Sequence, residues 1–325
     1  MQRLAAVVIA SLIAALAIAP AQSADAYPTR PIRLIMPQAP GSSNDTIGRI
    51  TSAKLSELLG QQIVIDNRAG GGGILGAELA ARAAPDGYTL FSGSAPSHAV
   101  APISYKKLPY DPNKDFAPIS LFAIADMVLC INPGLPAKSV KEFVSLARSR
   151  PGDFNMASAG TGSVAHLGGV MFTALTGIKS THVPYKGGAA NIIAVANGEA
   201  QWLISPVSAL MTQLKAGRLR ALAVGGKARS SFLPELPTLH ESGVAGYEFY
   251  TWTGLMTPAG ASAAIVNRLH EAMVKALSSP DVKAQLMTLG VEPSPSRSPA
   301  EFTAFIQNEQ RKMRELAKVA ELKPE

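Results

Sequence analysis

Two glycine- and serine-rich turns hold the residues best placed for chemistry. The first is Ala39-Pro40-Gly41-Ser42-Ser43, with Asp45 just beyond it. The second is Ser158-Ala159-Gly160-Thr161-Gly162-Ser163, with His166 just beyond it. Each turn follows a short apolar run, Ile32 to Met36 in one case and Phe154 to Ala157 in the other. In each, a helical pattern begins straight after the turn. The first N–H groups of a helix have no partner within it, so they point outward at whatever lies above the strand. That is a seat for an anion. Taken singly, either turn is an ordinary strand–helix connection. Two of them, one in each half of the chain, can face each other across a cleft.

Other chemistries fit less well. Ser163 and His166 could form a hydroxyl–imidazole dyad, but the nucleophile elbow G-x-S-x-G is missing and no third group orients the histidine. The five histidines and single cysteine have no metal-ligand spacing, and paired carboxylates for acid–base work are absent. Gly71 to Gly76 matches G-x-G-x-x-G literally. A dinucleotide site also needs an acid about 20 residues further on, at the end of the next strand, to hold the ribose. Asp86 falls in a turn before that strand, so the dinucleotide reading is rejected. No cofactor and no metal are expected.

The elements that position the two turns follow from periodicity. Ser42 and Asp45 have capping-box-like spacing, Ile47, Ile50, Leu55, Leu58 and Leu59 mark one helical face, and Gly60 is placed as a left-handed stop. Ile63-Val64-Ile65 reads as a strand, Gly70 to Gly73 as a flexible loop, and Leu75, Leu79 and Ala80 as a helix. Tyr88 to Phe91 is a third strand, with Ser92, Ser94 and Ser97 just beyond it at the end where open sheets bind ligands. Strands alternating with helices imply right-handed βαβ units and a parallel sheet.

Phe116 to Ile131, an apolar stretch interrupted by Asp126, reads as a crossing into a second domain. There the alternation resumes: a helix opens at the capping box Ser139–Glu142, and a strand at Lys179 to Val183 leads to the turn Pro184 to Gly188, which includes Tyr185. Further strands lie at Trp202–Ile204 and Leu219–Val224. An irregular return past Tyr247, Phe249 and Trp252 brings the chain back. Two crossing segments make a hinge. The expected division is residues 27–124 plus 250–325 as one domain and 125–249 as the other. A final helix starts at Ser298 and presents Phe302, Phe305, Ile306, Met313 and Leu316 to the core.

Composition bounds the partners. The chain has 325 residues, 47% hydrophobic, and a formal charge of +7. Its 30 Lys and Arg are scattered rather than clustered, so nucleic acid is not expected as a partner. Residues 1–26 read as an export signal: Met1-Gln2-Arg3 is basic, Leu4 to Ala19 is apolar, and small residues at Ala21 to Ala26 offer cleavage between about residues 23 and 27. Cys130 sits alone in an apolar run, the place of an inert thiol.

The chain also resembles a known family, the Bug receptors of tripartite tricarboxylate transporters. The likeness rests on an ordered set of motifs. They are Tyr27-Pro28 with Pro31-Ile32-Arg33, Ala39-Pro40-Gly41 with Asp45, Asp66-Asn67-Arg68, and Pro85-Asp86-Gly87-Tyr88-Thr89-Leu90. Ser158-Ala159-Gly160 with His166-Leu167, His182-Val183-Pro184-Tyr185-Lys186-Gly187 and Leu222-Ala223-Val224 follow. Pro237-Thr238, Glu241-Ser242-Gly243 and Trp252-Thr253-Gly254-Leu255 complete the set.

The resemblance implies a type II periplasmic binding fold, two α/β domains closing on a small organic acid or related anion. It implies a monomer in the periplasm, without enzymatic activity, that delivers its ligand to membrane subunits of the transporter. Ligand-binding residues on this reading are Ala39, Pro40, Gly41, Ser42, Ser43 and Asp45 from the first turn. Ser158, Gly160, Thr161, Gly162, Ser163 and His166 come from the second, with Ser94 and Tyr185 beside them. A ligand sensor for a signalling partner and a Ser/His hydrolase are the alternatives. The chain departs from the family pattern at Ser42, Ala194 and Gln201.

Overall fold

The computed structural model describes residues 27–319. The expected export signal lies outside them. Strand β1 (Ile32–Met36) forms where the sequence placed it, with Ile32, Leu34, Ile35 and Met36 all 0% exposed. Helix α1 (Ser43–Leu59) starts under Ser42, whose hydroxyl accepts the Asp45 amide at 3.3 Å, and stops at Gly60 with φ +68°. Strand β2 (Ile63–Asn67), helix α2 (Ile74–Ala81) and strand β3 (Thr89–Ser94) follow. Gly70 to Gly73 closes into a 3-10 turn over Gly71–Gly73 rather than an open loop, because Gly73 N–H donates to the Gly70 carbonyl at 2.9 Å.

The third strand runs longer than expected. Ser92 and Ser94 lie inside β3, both buried, because a sheet buried on both faces tolerates serines that find partners there. Only Ser97 lies past its end. The chain then makes a π-type turn over Pro96–Val100 and a single helical turn α3 (Ala101–Ser104). Phe116 to Ile131 is one uninterrupted strand, β4 (Phe116–Ile131).

Helix α4 (Val140–Ser149) opens under Ser139, strand β5 (Phe154–Ser158) follows, and helix α5 (Val164–Thr176) is capped by Ser163 and closed by Gly177. Strand β6 (Ser180–Pro184), helix α6 (Gly188–Asn197), strand β7 (Trp202–Pro206), helix α7 (Val207–Lys215) and strand β8 (Arg220–Val224) come next. The return is a regular strand, β9 (Tyr250–Pro258), followed by helices α8 (Ala263–Ser278) and α9 (Pro280–Thr288), a short β10 (Glu292–Pro293), and α10 (Pro299–Val319).

The strands join one mixed sheet in the order β2-β1-β3-β9-β4-β7-β5-β6, with β8 and β10 also on β4. Parallel pairing holds within β2-β1-β3 and within β7-β5-β6, as the βαβ pattern implies. The centre departs from it: β9 is antiparallel to both β3 and β4, and β4 is antiparallel to β7 and β8.

β4 changes partners at one point. Phe116 to Asp126 pairs with β9, and Met127 to Ile131 pairs with β7 and β8. The return path meets it there, since Gly225 N–H donates to the Met127 carbonyl at 2.6 Å and Phe249 N–H to the Gly225 carbonyl at 2.8 Å. Gly225 has no room for a side chain, because an added carbon would lie 2.6 Å from the Phe249 carbonyl oxygen. Backbone sits against backbone here.

Candidate ligand-binding site

Both turns follow the carboxyl ends of strands, and both are built around a serine-capped helix. In the first, Ala39, Pro40 and Gly41 form an exposed tip. Gly41 takes φ +78°, a left-handed conformation that favours glycine. Its N–H donates to Asp45 Oδ2 at 2.8 Å. Asp45 is 2% exposed and also accepts from Arg49 Nε at 2.9 Å and Asn67 Nδ2 at 2.8 Å. Burial works against its charge, but the Arg49, Asn67 and Gly41 donors outweigh it and hold the carboxyl below the usual carboxylate range. Asp45 therefore latches the turn from beneath. Ser94 reaches the same turn through Gln38, whose Nε2 donates to the Ser94 hydroxyl at 3.4 Å.

The second turn is latched by histidines. Gly160 (φ +116°) and Gly162 (φ +74°) supply the left-handed backbone, and Thr161 is exposed at the tip. The Ser158 hydroxyl accepts the Gly160 N–H at 3.1 Å and lies 2.6 Å from His182 Nε2. Gly162 N–H donates to His166 Nδ1 at 3.2 Å, and the Ser163 hydroxyl accepts the His166 amide at 3.2 Å. The two imidazoles stack, with centroids 4.1 Å apart and planes 21° apart. Burial, and then the neighbouring His182, lower the His166 pKa to about 4, and burial lowers that of His182. Both rings are neutral at pH 7.

This arrangement is a helix cap, not a nucleophile–base pair. The Ser163 oxygen receives a backbone N–H, and Nδ1 of His166 is occupied by the Gly162 N–H rather than by a serine hydroxyl. Tyr185 joins through its backbone, its N–H donating to the Ser158 carbonyl at 2.9 Å.

Each turn meets residues far from it in sequence. The hydroxyls of Ser43 and Ser208 are 2.5 Å apart, linking the first residue of α1 to the start of α7. A side-chain carbon on Gly72 would lie 3.6 Å from the Gly162 carbonyl oxygen, and one on Gly162 would lie 3.5 Å from the Tyr105 hydroxyl. The glycines of the G-x-G-x-x-G stretch serve close packing: added carbons at Gly73 and Gly76 would meet Pro37 at 3.2 and 3.0 Å. Tyr105, His182 and Ser208 were not singled out from the sequence. Their signal is spatial, and only the His182 motif was visible at all.

Among the described residues, no group of three or more His, Cys, Asp or Glu could hold a metal ion, and no helix is long and apolar enough to cross a membrane. What gathers at the site is neutral and rich in N–H and hydroxyl groups, with the one buried carboxylate neutralised by Arg49. The named N–H groups of Gly41, Gly160, Gly162 and His166 donate within the turns, so an anion would be held by the remaining helix-start N–H groups and the hydroxyls.

Known proteins show the family and the fold. A family model described as tripartite tricarboxylate transporter family receptor matches residues 47–322. Protein BugT of Bordetella pertussis is 35% identical over 304 residues, covering 93% of this chain and 93% of that protein. Among solved structures, Rpa4515 of R. palustris with adipate matches with a TM-score of 0.88 at 34% identity, covering 92% of this chain and 100% of that one. MatC of Rhodopseudomonas palustris with bound malate matches with a TM-score of 0.84 at 32% identity, covering 89% and 99%. The α/β fold is thus that of the periplasmic solute-binding proteins. The chain belongs to the tripartite tricarboxylate transporter receptor family, the family that contains the Bug proteins.

Proposed function

We propose that this protein is a periplasmic receptor that captures a small carboxylate between residues 27–124 plus 250–325 and residues 125–249. As a monomer it delivers that ligand to the membrane subunits of a tripartite tricarboxylate transporter. The observation that carries this reading is the pair of serine-capped helix starts, α1 and α5, each following a glycine turn at the end of a strand, with Ser43 of the first against Ser208 and Gly162 of the second beside Gly72. Two solved relatives that hold adipate and malate support the ligand class. The change of partners within β4 at Asp126/Met127, beside the tight Gly225 contact, supports a hinge at the division.

A melting screen of the mature protein against dicarboxylates and hydroxy acids tests it. A ligand at a hundredfold excess over Kd adds roughly 2.7 kcal/mol, a rise of about 4 °C for a chain of this size. A panel including adipate and malate that leaves the melting temperature unmoved would overturn the proposal.

A further inference from the structure

Gln38, the last residue before the first turn, carries a carboxamide held at both ends. Its Oε1 accepts from Asn44 Nδ2 at 2.5 Å, and its Nε2 donates to the Ser94 hydroxyl at 3.4 Å. Asn44 is held in turn: it is buried, and its Oδ1 accepts from the buried Ser92 hydroxyl at 3.3 Å. The Gln38 carbonyl accepts from Asn67 Nδ2 at 3.1 Å, the group that also donates to Asp45. The side chain therefore runs between the end of β3 and the start of α1, fixed by groups from both.

This leaves one donor over. A carboxamide nitrogen carries two N–H groups. Ser94 takes one, and the other has no acceptor among the described residues. Gln38 is half-buried, whereas Asn44, Ser92 and Ser94 are buried, so the open end of the network is the Gln38 nitrogen. Its direction is set before a ligand arrives, because Oε1 is spent on Asn44 and the rotamer freedom is already lost.

Two further donors lie beside it. In the first turn, Gly41 N–H goes to Asp45, Ser42 N–H to the Ala39 carbonyl and Asp45 N–H to the Ser42 hydroxyl. The N–H groups of Ser43 and Asn44, which open α1, have no acceptor among the described residues. Since the Asn44 side chain holds the Gln38 carboxamide, the three unspent donors share the start of α1. The Ser43 hydroxyl meets Ser208 there, so this end of α1 faces residues 125–249.

We infer that Gln38 determines specificity in the first turn: its remaining N–H donates to an oxygen of the bound carboxylate, and Asn44 is the positioning residue that aims it. This deepens the carboxylate reading above and rests on it. Three N–H groups at one place make a seat for acceptors alone. The end of the ligand received there is an anionic oxygen group, and an ammonium group is refused.

Calorimetry on the mature protein with adipate and malate tests the inference, alongside melting of each unliganded variant. Gln38→Glu keeps an acceptor for Asn44 and lets the Ser94 hydroxyl donate instead of accept, so its unliganded melting temperature stays within about 2 °C of wild type. Its carboxylate has no N–H to give. Gln38→Leu removes the donor without adding charge. In both variants the acid that binds wild type weakens about tenfold or more. Asn44→Leu alone weakens binding by freeing Gln38, but changes it by less than about twofold once Gln38 is leucine. That dependence separates aiming from a merely structural role. The inference is overturned, and the carboxylate receptor stands, if either Gln38 variant binds within about twofold of wild type or if Asn44→Leu has the same effect in both backgrounds. If neither acid binds wild type, both readings fall.

Discussion

The backbone N–H of Gly162 donates to Nδ1 of His166 at 3.2 Å, which fixes the ring as the neutral tautomer with its proton on Nε2. Protonating Nδ1 would turn that acceptor into a second donor and release the turn. Burial and the stacked His182 lower the pKa from 6.5 to about 4. Unfolded chains therefore bind a proton at this position between about pH 6.5 and 4 that the folded protein does not. The associated stability is fully present above pH 6.5 and is lost as the pH falls through that window. His166→Asn should flatten this part of the pH dependence of the melting temperature. An unchanged pH profile would show that the ring does not latch the turn.

His98 should behave more strongly. It is fully buried, its Nδ1 lies 2.9 Å from the Ser97 hydroxyl, and its Nε2 has no partner. Burial lowers its pKa to about 3. The sign is the same: stability is present above pH 6.5 and falls as the pH drops toward 3. Between pH 7 and 5 the loss from this one group is about 2 kcal/mol. Denaturant unfolding at those two pH values checks it. His98→Gln should lose about 2 kcal/mol less than wild type over the same interval.

The local parts of this fold were legible because they are written in adjacent residues. Ser42 and Gly60 bracket α1 and Ser139 opens α4, each by a cap whose chemistry spans a few positions. The centre of the sheet was not legible. Asp126 interrupts the apolar pattern of β4 at the point where the strand changes partners, and the irregular look of residues 247–255 hid β9. The site divides in the same way. The two turns stand out by composition, whereas the contact of Ser43 with Ser208 joins residues 165 positions apart and leaves no periodic trace. Ser94 looked like a loop residue because no local rule shows how far a doubly buried strand extends.

Asp45 gives a third prediction. Its carboxylate receives a backbone N–H, a guanidinium and a carboxamide, and the exposed tip of the first turn hangs on them. Asp45→Ala should destabilise the protein by about 2–3 kcal/mol, the scale for losing charge-assisted bonds that leave buried donors unpaired. Carboxylate affinity should fall with it, because Gly41 is no longer held in its left-handed conformation. Urea unfolding and calorimetry on the same preparation separate the two effects. Weakened binding at full stability would place Asp45 in direct contact with the ligand instead.

Ser163 carries the last prediction, and two substitutions separate its two roles. Its oxygen caps α5 by accepting the His166 amide, which leaves its own proton free to donate to a bound carboxylate. Ser163→Ala removes both functions. It should cost the unliganded protein about 1 kcal/mol through the lost cap. It should also weaken carboxylate binding by about 1.5–3 kcal/mol, roughly ten- to a hundredfold. Ser163→Asp keeps an acceptor at the cap, and aspartate is a good first residue for a helix, so the unliganded melting temperature should stay near wild type. The aspartate oxygens have nothing to donate and repel an anion, so carboxylate binding should disappear. Both measurements come from one titrated melting series on each variant. An aspartate variant that still binds carboxylate like wild type would remove Ser163 from the site and leave it only the cap.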